Sequence, residues 1–284
     1  MAKRQAKELS HSTVAITGGA RGIGAATATA FARKGATVAI GDLDQQLAQQ
    51  TAQALPKPGQ GFHLDVTDGA SFEQFVDDVE TAIGPIDVLV NNAGIMPVGP
   101  FLDEHDDTTH RIVDINCHGV MNGMKAILPR FKERDSGHLV NIASIVGKAA
   151  VSGTATYSGS KFFVVGVTEA VRSELADTNI DVSCVMPGPV NTELTAGIPA
   201  GPLIRFIEPH DVADAIVAAV ERPRFDVYVP RSLAGLTLFG YLLPRRARDG
   251  LARLLKADTA VQRTDWAARR AYEDRAARQP AKTS

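Results

Sequence analysis

The protein has 284 residues, of which 44% are hydrophobic, and a formal net charge of −2, so it can bury one large core. Its two cysteines, Cys117 and Cys184, lie far apart in predicted apolar segments, which predicts buried thiols in a reduced cytoplasm and argues against a disulfide framework. The basic N-terminal residues precede no apolar region, and no window approaches about 20 uninterrupted apolar residues, so neither a secretory signal nor a membrane-spanning helix is expected.

The first predicted unit is a strand, a glycine-rich turn and a helix. Thr13–Thr17 is a short β-branched strand, four glycines follow between positions 18 and 24, and an Ala-rich helix extends to residue 34. Glycines allow the backbone to approach a pyrophosphate, which the amides at a helix N-terminus stabilise. A second strand at residues 36–41 leads to Asp42, near the position expected for a carboxylate that binds the ribose of an adenosine.

The remaining elements alternate in the same way. Predicted strands lie at residues 61–66, 86–90, 138–143, 180–186 and 226–229, and predicted helices lie at residues 43–55, 71–83, 103–131, 154–175 and 209–221. Strands that are separated by crossover helices predict a parallel sheet. The expected fold class is therefore α/β, a Rossmann-like, doubly wound parallel sheet of seven strands with helices on both faces and a helical C-terminal extension.

Three polar residues near the middle of the chain form a candidate catalytic group. Tyr157 and Lys161 stand four residues apart in a predicted helix, so the phenol and the ammonium project from one helical face. An ammonium beside a phenol lowers the phenol pKa from about 10, and such a Tyr can act as a general acid and base. Ser144 follows a predicted strand, at the sheet edge where ligands bind. Taken alone, Tyr157 and Lys161 also fit a chance pair on a solvated helix face.

Taken together, the motifs resemble those of the short-chain dehydrogenase/reductase family. The matching motifs occur in the family's order and at its spacings over about residues 10–230, and they are Thr17-Gly-x-x-x-Gly-x-Gly24, Asn91-Asn-Ala-Gly94, Asn116, Ser144, Tyr157-x-x-x-Lys161, and Pro187-Gly188 with Thr192. The resemblance implies that Tyr157 takes the proton of a substrate hydroxyl while Ser144 orients the reacting oxygen. It also implies that Lys161 tunes Tyr157 and holds the nicotinamide ribose. Asn116 would distort its helix and hold a relay water.

The resemblance also implies which residues bind the cofactor. They are Gly18, Arg21, Gly22, Ile23, Gly24, Asp42, Asp65, Val66, Asn92, Ala93, Gly94, Tyr157, Lys161, Pro187, Gly188, Val190 and Thr192. Within this set, Asp65 and Val66 would flank the adenine, although Asp65 has a second interpretation as a cap of the helix from Ser71. The Val190 backbone and the Thr192 hydroxyl would bind the carboxamide. Asn91 is interpreted as a structural residue that bonds across the sheet.

The choice between NAD and NADP depends on two residues of opposite charge. The Asp42 carboxylate would accept hydrogen bonds from a ribose hydroxyl and repel a 2′-phosphate. Arg21 lies in the glycine turn, where a basic residue can accompany NADP in this family. We expect NAD.

The C-terminal segment differs from the rest of the chain in charge. Residues 231–284 hold 12 Lys and Arg against 5 Asp and Glu, a net charge of +7, whereas the first 230 residues carry −9. Residues 232–243 carry no charge, an amphipathic helix is predicted around Leu251, Leu254 and Leu255, and residues 264–277 form a predicted charged helical tail. Either the apolar part packs on the substrate cleft or a sister subunit while the arginines are solvated, or residues 231–260 rest on anionic lipid.

These observations divide the chain into an N-terminal arm (1–11), one catalytic domain (12–230) and a basic, partly apolar helical extension (231–284). The expected function is NAD-dependent interconversion of a secondary alcohol and a ketone on an apolar lipid, steroid or terpenoid substrate, beneath a Gly- and Pro-rich loop at residues 193–205. The alternatives are an NADP-dependent 3-oxoacyl thioester reductase and a catalytically idle dinucleotide sensor that binds a partner. A cytoplasmic homo-oligomer, a dimer or tetramer, is expected, with membrane contact under the second interpretation of the extension. The acidic main body argues against nucleic acid, and the His and acidic residues at 103–110 lack metal-ligand spacing, so no metal is expected.

Overall fold

The computed structural model describes residues 6–199, 206–247, 250 and 263–278. Its strands are β1 (Thr13–Thr17), β2 (Thr37–Asp42), β3 (Gln60–His63), β4 (Val88–Asn91), β5 (Gly137–Ile142), β6 (Ile180–Pro187) and β7 (Asp226–Val229). They form one parallel sheet in the order β3-β2-β1-β4-β5-β6-β7. The predicted seven-stranded, doubly wound sheet is confirmed.

Helices connect the strands and continue after the last one. They are α1 (Gly22–Arg33), α2 (Gln45–Gln53), α3 (Gly69–Ala82), α4 (Asp106–Val113), α5 (Gly119–Arg134), α6 (Ala155–Glu174), α7 (Pro209–Glu221), α8 (Ser232–Leu242) and α9 (Trp266–Arg278). Local sequence explains several starts, because Asp44 and Asp68 accept backbone N–H bonds as N-caps of α2 and α3. Asp68, and not Asp65, therefore caps α3, so the capping interpretation of Asp65 is wrong.

Apolar side chains cover both faces of the sheet. Phe72 of α3, Phe131 of α5 and Val164 of α6 are buried in one core. Phe31 of α1 and Ile216 of α7 are buried in the core on the other face. The central strands are buried along their length because parallel strands with helices on both sides have no solvent-facing side. Each fully buried side chain of this size contributes about 1.5–3 kcal/mol by leaving water.

The strand order places a crevice between β1 and β4. The chain moves outward from β1 through β2 to β3, and then returns to form β4 on the other side of β1. Val14 pairs with Val88 and Ile16 pairs with Val90, so the two strands end at the same level. Ligands of open α/β sheets bind outside the carboxyl ends of strands at such a reversal, and here the loops that follow β1 and β4 face each other.

The apolar helix α8 is not covered by the described part of the chain. None of its described side chains is buried, and the largest exposed ones are Leu236, Leu238, Phe239 and Leu242. The helix predicted around Leu251 and residues 200–205 of the predicted substrate loop lie outside the described residues. No helix in the described ranges has the length and apolar character needed to cross a membrane. Cys117 and Cys184 are buried free thiols, as predicted.

Candidate active site

The turn after β1 brings the backbone close to the start of α1. Gly18 has a φ of +60° and Gly22 a φ of +54°, a left-handed conformation that glycine adopts without steric cost. A Cβ on Gly24 would lie 2.3 Å from the Gly18 carbonyl oxygen and 2.7 Å from Asn92 Nδ2. The N-cap residue Arg21 makes no side-chain cap bond. The first amides of α1 can therefore receive an anion such as a pyrophosphate.

Asn92 and Thr17 join the glycine turn to the loop after β4. Asn92 Nδ2 donates to the carbonyl oxygens of Thr17 at 2.9 Å and Gly18 at 3.0 Å. Thr17 Oγ1 accepts the backbone N–H groups of Asn92 and Ala93, both at 3.0 Å. These four hydrogen bonds fix the two loops that flank the crevice.

Asn91 has a different role from its neighbour. Its Nδ2 donates to Asn141 Oδ1 on β5 at 2.9 Å, and Asn141 Nδ2 donates in turn to Thr168 Oγ1 at 2.9 Å. The interpretation of Asn91 as a structural residue that bonds across the sheet is confirmed.

Asp42 lies at the end of β2 beside the glycine turn. Its two carboxylate oxygens accept the backbone N–H groups of Ala20 and Asp44, both at 3.2 Å. Burial raises the pKa of Asp42, and these hydrogen bonds and the charge of Arg21 oppose the rise. The Arg21 guanidinium forms an exposed ion pair with Asp44, with Nη2 and Oδ2 3.3 Å apart. The guanidinium that would favour NADP is thus already paired with a carboxylate.

Asp65 and Val66 follow β3 and line the same crevice. Asp65 Oδ1 accepts the N–H of Thr67 at 2.9 Å and its hydroxyl at 2.7 Å. Asn122 Nδ2 donates to the Val66 carbonyl oxygen at 2.9 Å. Both residues are therefore held in position by short local contacts and by α5.

The helical segment from α4 to α5 is interrupted at Asn116. Asp114–His118 form a π-helical turn, a local widening that is frequent at functional sites. Asn116 Oδ1 accepts the N–H of Ile95 at 2.9 Å, and Nδ2 donates to the Ile95 carbonyl oxygen and to Ser160 Oγ, both at 3.0 Å. The predicted helix distortion is confirmed, and the predicted relay water stays a prediction.

Ser144, Tyr157 and Lys161 meet at the carboxyl ends of β5 and β6. Tyr157 and Lys161 are 7% and 5% exposed, so the interpretation as a chance pair on a solvated face is wrong. Lys161 Nζ donates to the Ile142 carbonyl oxygen at 2.8 Å and lies 5.8 Å from the centroid of the Tyr157 ring. Ser144 Oγ donates to the Pro187 carbonyl oxygen at 3.5 Å.

The pKa values of this group differ from the sequence-based expectation. Burial raises the pKa of Tyr157 to about 12, and a hydrogen bond with Ser144 acts in the opposite direction. Burial lowers the pKa of Lys161 to about 8. The expectation that Lys161 brings the Tyr157 pKa below its usual value is wrong in this structure, because burial of the phenol outweighs the opposing effects.

The chain after β6 borders the crevice on its other side. Val190 forms a parallel bridge with Ile207, and its carbonyl oxygen accepts the Thr195 hydroxyl at 2.6 Å. The Thr192 methyl group would lie 3.5 Å from a Cβ placed on Gly22. This loop therefore reaches the glycine turn and closes the crevice into a cavity.

The cavity has a volume of about 660 Å³. The predicted site residues that line it are Gly18, Arg21, Gly22, Ile23, Asp42, Asp65, Val66, Asn92, Ala93, Gly94, Ser144, Tyr157, Lys161, Pro187, Gly188, Val190 and Thr192. Gly24 and Asn116 lie behind its wall and shape it through their neighbours. The structure thus brings together the residues that were selected from separate motifs.

Helix α9 forms part of the cavity wall, which the sequence analysis missed. Tyr272, Arg275 and Ala276 line the cavity, and Arg275 forms an ion pair with Glu193 at 2.7 Å. The Tyr272 hydroxyl accepts the N–H of Met96 at 2.6 Å. Tyr272 and Ala276 are four residues apart, so their helical spacing was the available signal.

Arg269 anchors α9, and its side chain is 0% exposed. Its Nη1 donates to the carbonyl oxygens of Leu194 at 2.8 Å and Ala196 at 3.2 Å. Its Nη2 donates to the Met96 carbonyl oxygen, and its Nε pairs with Glu273 at 2.6 Å. The expectation of solvated arginines in this segment is therefore wrong for Arg269, because backbone carbonyls and a carboxylate replace water around the guanidinium.

A family model described as short chain dehydrogenase matches residues 12–202. The chain belongs to the short-chain dehydrogenase/reductase family. It is therefore an oxidoreductase.

Several relatives support this assignment. The chain is 36% identical over 206 residues to a 3-alpha-(or 20-beta)-hydroxysteroid dehydrogenase of Mycobacterium bovis, covering 71% of this chain and 79% of the relative. It is 35% identical over 214 residues to the 3-oxoacyl-[acyl-carrier-protein] reductase FabG of Thermotoga maritima, covering 71% and 87%. It is also 35% identical over 229 residues to the glycine betaine reductase ATRR of Emericella nidulans, covering 76% of this chain but only 18% of that relative's length.

A solved structure has the same fold. The short chain dehydrogenase/reductase of Burkholderia phymatum, in complex with NAD, superposes with a TM-score of 0.76 at 22% identity, covering 83% of this chain and 94% of that one.

The short-chain dehydrogenase/reductase family uses a nicotinamide dinucleotide, and the residues present fit this group. The glycine turn and the open N-terminus of α1 supply amides for a pyrophosphate. Asp42, whose carboxylate can accept hydrogen bonds from a ribose, lines the same cavity as Tyr157 and Lys161. A cavity of this size lies within the range of small-molecule and cofactor sites.

Proposed function

We propose that this protein is an NAD-dependent oxidoreductase that interconverts a secondary alcohol and a ketone on an apolar lipid-, steroid- or terpenoid-like substrate. The observation that carries the proposal is the meeting of Ser144, Tyr157 and Lys161 with the glycine turn in one cavity. A protein that only senses a dinucleotide needs the glycine turn. It does not need a buried ammonium and phenol at the far end, which are costly to bury.

In the proposed reaction, Tyr157 transfers the proton at the substrate oxygen. During ketone reduction the phenol, which is neutral because its pKa is raised to about 12, donates its proton to the carbonyl oxygen. Alcohol oxidation is the reverse: Tyr157 takes the hydroxyl proton as its own phenol proton passes to the proposed relay through Lys161. Ser144 hydrogen-bonds the same oxygen and fixes its position. When bound, the cofactor supplies or accepts the hydride at its nicotinamide ring.

Lys161 and Asn116 act behind Tyr157. Burial lowers the Lys161 pKa to about 8, so its ammonium can lose and regain a proton near neutral pH. We propose that Lys161 also holds the nicotinamide ribose. Asn116 positions the segment at Ile95 and the α6 residue Ser160, and in the proposal it holds the relay water that connects Lys161 to solvent.

In the proposal the protein uses NAD in preference to NADP. The Asp42 carboxylate would accept a hydrogen bond from a ribose hydroxyl and would repel a 2′-phosphate. Arg21 would attract that phosphate, but it is paired with Asp44. Both contacts support NAD as the cofactor of this protein.

Apolar side chains in the cavity wall support an apolar substrate. Those from the loops after β4, β5 and β6 include Ile95, Met96, Ile145, Val146, Val151, Leu194, Ile198, Pro199 and Phe206. The similarity to the mycobacterial hydroxysteroid dehydrogenase supports a bulky alicyclic substrate. The similarity to the Thermotoga reductase supports the competing proposal, reduction of a 3-oxoacyl thioester, which the expected preference for NAD disfavours.

We further propose that the protein is a cytoplasmic homo-oligomer, a dimer or tetramer, that contacts anionic lipid through α8. Four large apolar side chains of α8 are exposed, Leu242 by 76%. Arg245 and Arg246 follow at exposed positions, in a segment of net charge +7. Apolar side chains beside basic ones are the combination that binds anionic bilayer surfaces.

Vesicle flotation tests this contact. Wild-type protein should float with vesicles that contain anionic phospholipid, and Leu238→Asp should float less while keeping its turnover. If flotation is unaffected and Leu238→Asp instead breaks the oligomer, α8 is covered by a second copy and the lipid proposal is wrong.

The catalytic proposal is tested by measuring NAD⁺ and NADP⁺ reduction over a panel of secondary alcohols that includes sterols. NAD⁺ reduction with apolar alcohols supports it. NADPH-dependent reduction of 3-oxoacyl thioesters alone would establish the competing function. Tight NADH binding without turnover on any alcohol or ketone would establish the sensor alternative.

A further inference from the structure

Tyr272 presents a hydrogen-bond donor to the cavity. The side chain is buried, with 6% exposed, and it lines the cavity beside Ala276. The phenol oxygen accepts the N–H of Met96 at 2.6 Å, which leaves its own proton to be donated. Within the ranges that the structure describes, no residue accepts this proton. Buried donors are rarely left without an acceptor, so the phenol is equipped to bind an acceptor that enters the cavity.

Arg269 holds this donor in place. Its guanidinium lies 4.9 Å from the centroid of the Tyr272 ring and donates to the carbonyl oxygen of Met96. The same residue, Met96, thus donates its N–H to Tyr272 and accepts a bond from Arg269. The phenol is fixed between α9 and the loop after β4, and such preorganisation lowers the entropy that binding would cost. Arg269 is a positioning residue that acts through Tyr272.

The reacting oxygen of the substrate is not the acceptor that Tyr272 requires. A carbonyl oxygen accepts hydrogen bonds through two lone pairs, and in the proposed function the hydroxyls of Ser144 and Tyr157 donate to both. Arg275, the cationic residue of α9 at the cavity, is paired with Glu193 at 2.7 Å. A neutral acceptor therefore suits this part of the cavity better than a carboxylate.

We infer that Tyr272 binds a second, uncharged oxygen atom of the substrate. The inference rests on the proposed function and deepens it: the substrate is an apolar ketone or secondary alcohol that carries another hydrogen-bond acceptor, such as a carbonyl, hydroxyl or ether oxygen. This subsite fixes which end of the molecule faces Tyr157.

A series of matched ketones tests the inference. The probes are a steroid 3-ketone without any other oxygen and analogues that carry one methyl ether at successive ring positions, since an ether accepts a hydrogen bond but cannot be reduced. The wild-type protein should reduce at least one ether with a higher kcat/KM than the parent. Tyr272→Phe also removes the acceptor of the Met96 N–H, so some loss for the parent is expected. The kcat/KM for that ether should fall roughly threefold to tenfold more than that for the parent, as expected for one further hydrogen bond.

Arg270→Gln is the matched control, because Arg270 lies exposed on the same helix. In Arg270→Gln, the ratio of kcat/KM for each ether to kcat/KM for the parent ketone should equal the wild-type ratio. An equal loss for parent and ether in Tyr272→Phe would show a merely structural role and overturn the inference. Equal wild-type rates for parent and all ethers would also overturn it.

Equilibrium binding separates this inference from the proposed function. In protein saturated with NAD⁺, which cannot reduce a ketone, at least one ether should raise the melting temperature of the wild type more than the parent does. In Tyr272→Phe, that ether and the parent should raise the melting temperature equally. This contrast requires no turnover. Absence of turnover with the contrast present would refute the proposed function alone, whereas turnover without the contrast would refute the Tyr272 subsite alone.

Discussion

Replacing Arg269 with Met should release α9 from the cavity wall without unfolding the sheet. Met keeps most of the apolar stem but removes the guanidinium. Three backbone carbonyls, those of Met96, Leu194 and Ala196, then lose their donor, and Glu273 loses its ion-pair partner. The contacts of Arg269 join α9 to two loops rather than to the sheet, so we expect local opening.

The magnitude follows from the burial of the guanidinium. Removing one partner of a buried ion pair costs about 3–5 kcal/mol. The Glu273 side chain is 27% exposed and can be hydrated after the change, so the lower end, about 3 kcal/mol, applies. Since about 1.4 kcal/mol is a factor of ten, the fraction of molecules with α9 open should rise roughly 100-fold.

Amide hydrogen exchange measures this fraction. In Arg269→Met, amides of α9 should exchange roughly 100-fold faster, while amides of β4 and β5 keep their rates. Arg270→Met, which removes an equal charge from the exposed face of α9, should leave the exchange rates of both sets of amides unchanged. Unchanged exchange in α9 of Arg269→Met, or an equal effect of the two substitutions, would refute the anchoring role.

Three further predictions concern the cofactor half of the site and the core. Asp42→Ala should lower the NAD-over-NADP preference in kcat/KM about tenfold or more, because a charge-assisted hydrogen bond is lost and a phosphate is no longer repelled; an unchanged ratio would contradict the assignment. Gly24→Ala should abolish NADH binding, measured by fluorescence, because its Cβ would lie 2.3 Å from a carbonyl oxygen, whereas Gly159→Ala, where a Cβ meets nothing within 4 Å, should bind normally. Burial lowers the pKa of His138 to about 4 from 6.5, so the unfolded chain binds the extra proton between these pH values. The contribution of His138 to the free energy of unfolding is therefore fully present above pH 6.5 and falls by about 3 kcal/mol as the pH drops towards 4. The free energy of unfolding, measured with urea at several pH values, should lose this part of its pH dependence in His138→Gln. A pH dependence equal to that of the wild type would show that other groups cause it.

Local chemistry explains what the sequence could predict. The glycine turn, the four-residue spacing of Tyr157 and Lys161, and the position of Ser144 after a strand are each readable within a few residues. The alternation of strands and helices then placed these segments at one edge of the sheet. The fold and the composition of the main cavity wall followed from that placement.

Long-range contacts explain what the sequence could not predict. Arg269 binds Met96 across 173 positions of sequence, and a charged residue in an Arg-rich helix otherwise indicates a solvated face. For the same reason, the sequence left open whether the apolar segment at α8 packs on the cleft, on a sister subunit or on lipid. In the structure α9 lines the cavity, and none of the described side chains of α8 is buried. The raised pKa of Tyr157 depends on burial of the phenol, which no spacing of motifs reveals.

The central claim, that Tyr157 transfers the proton in an oxidoreductase site, is tested most directly by Tyr157→Phe. The account predicts that kcat for an alcohol that the wild-type protein oxidises falls at least about 100-fold, the low end for loss of general acid–base catalysis. The dissociation constant for NADH should change little, because the glycine turn and Asp42 remain intact. Turnover at the wild-type rate in Tyr157→Phe would contradict the account.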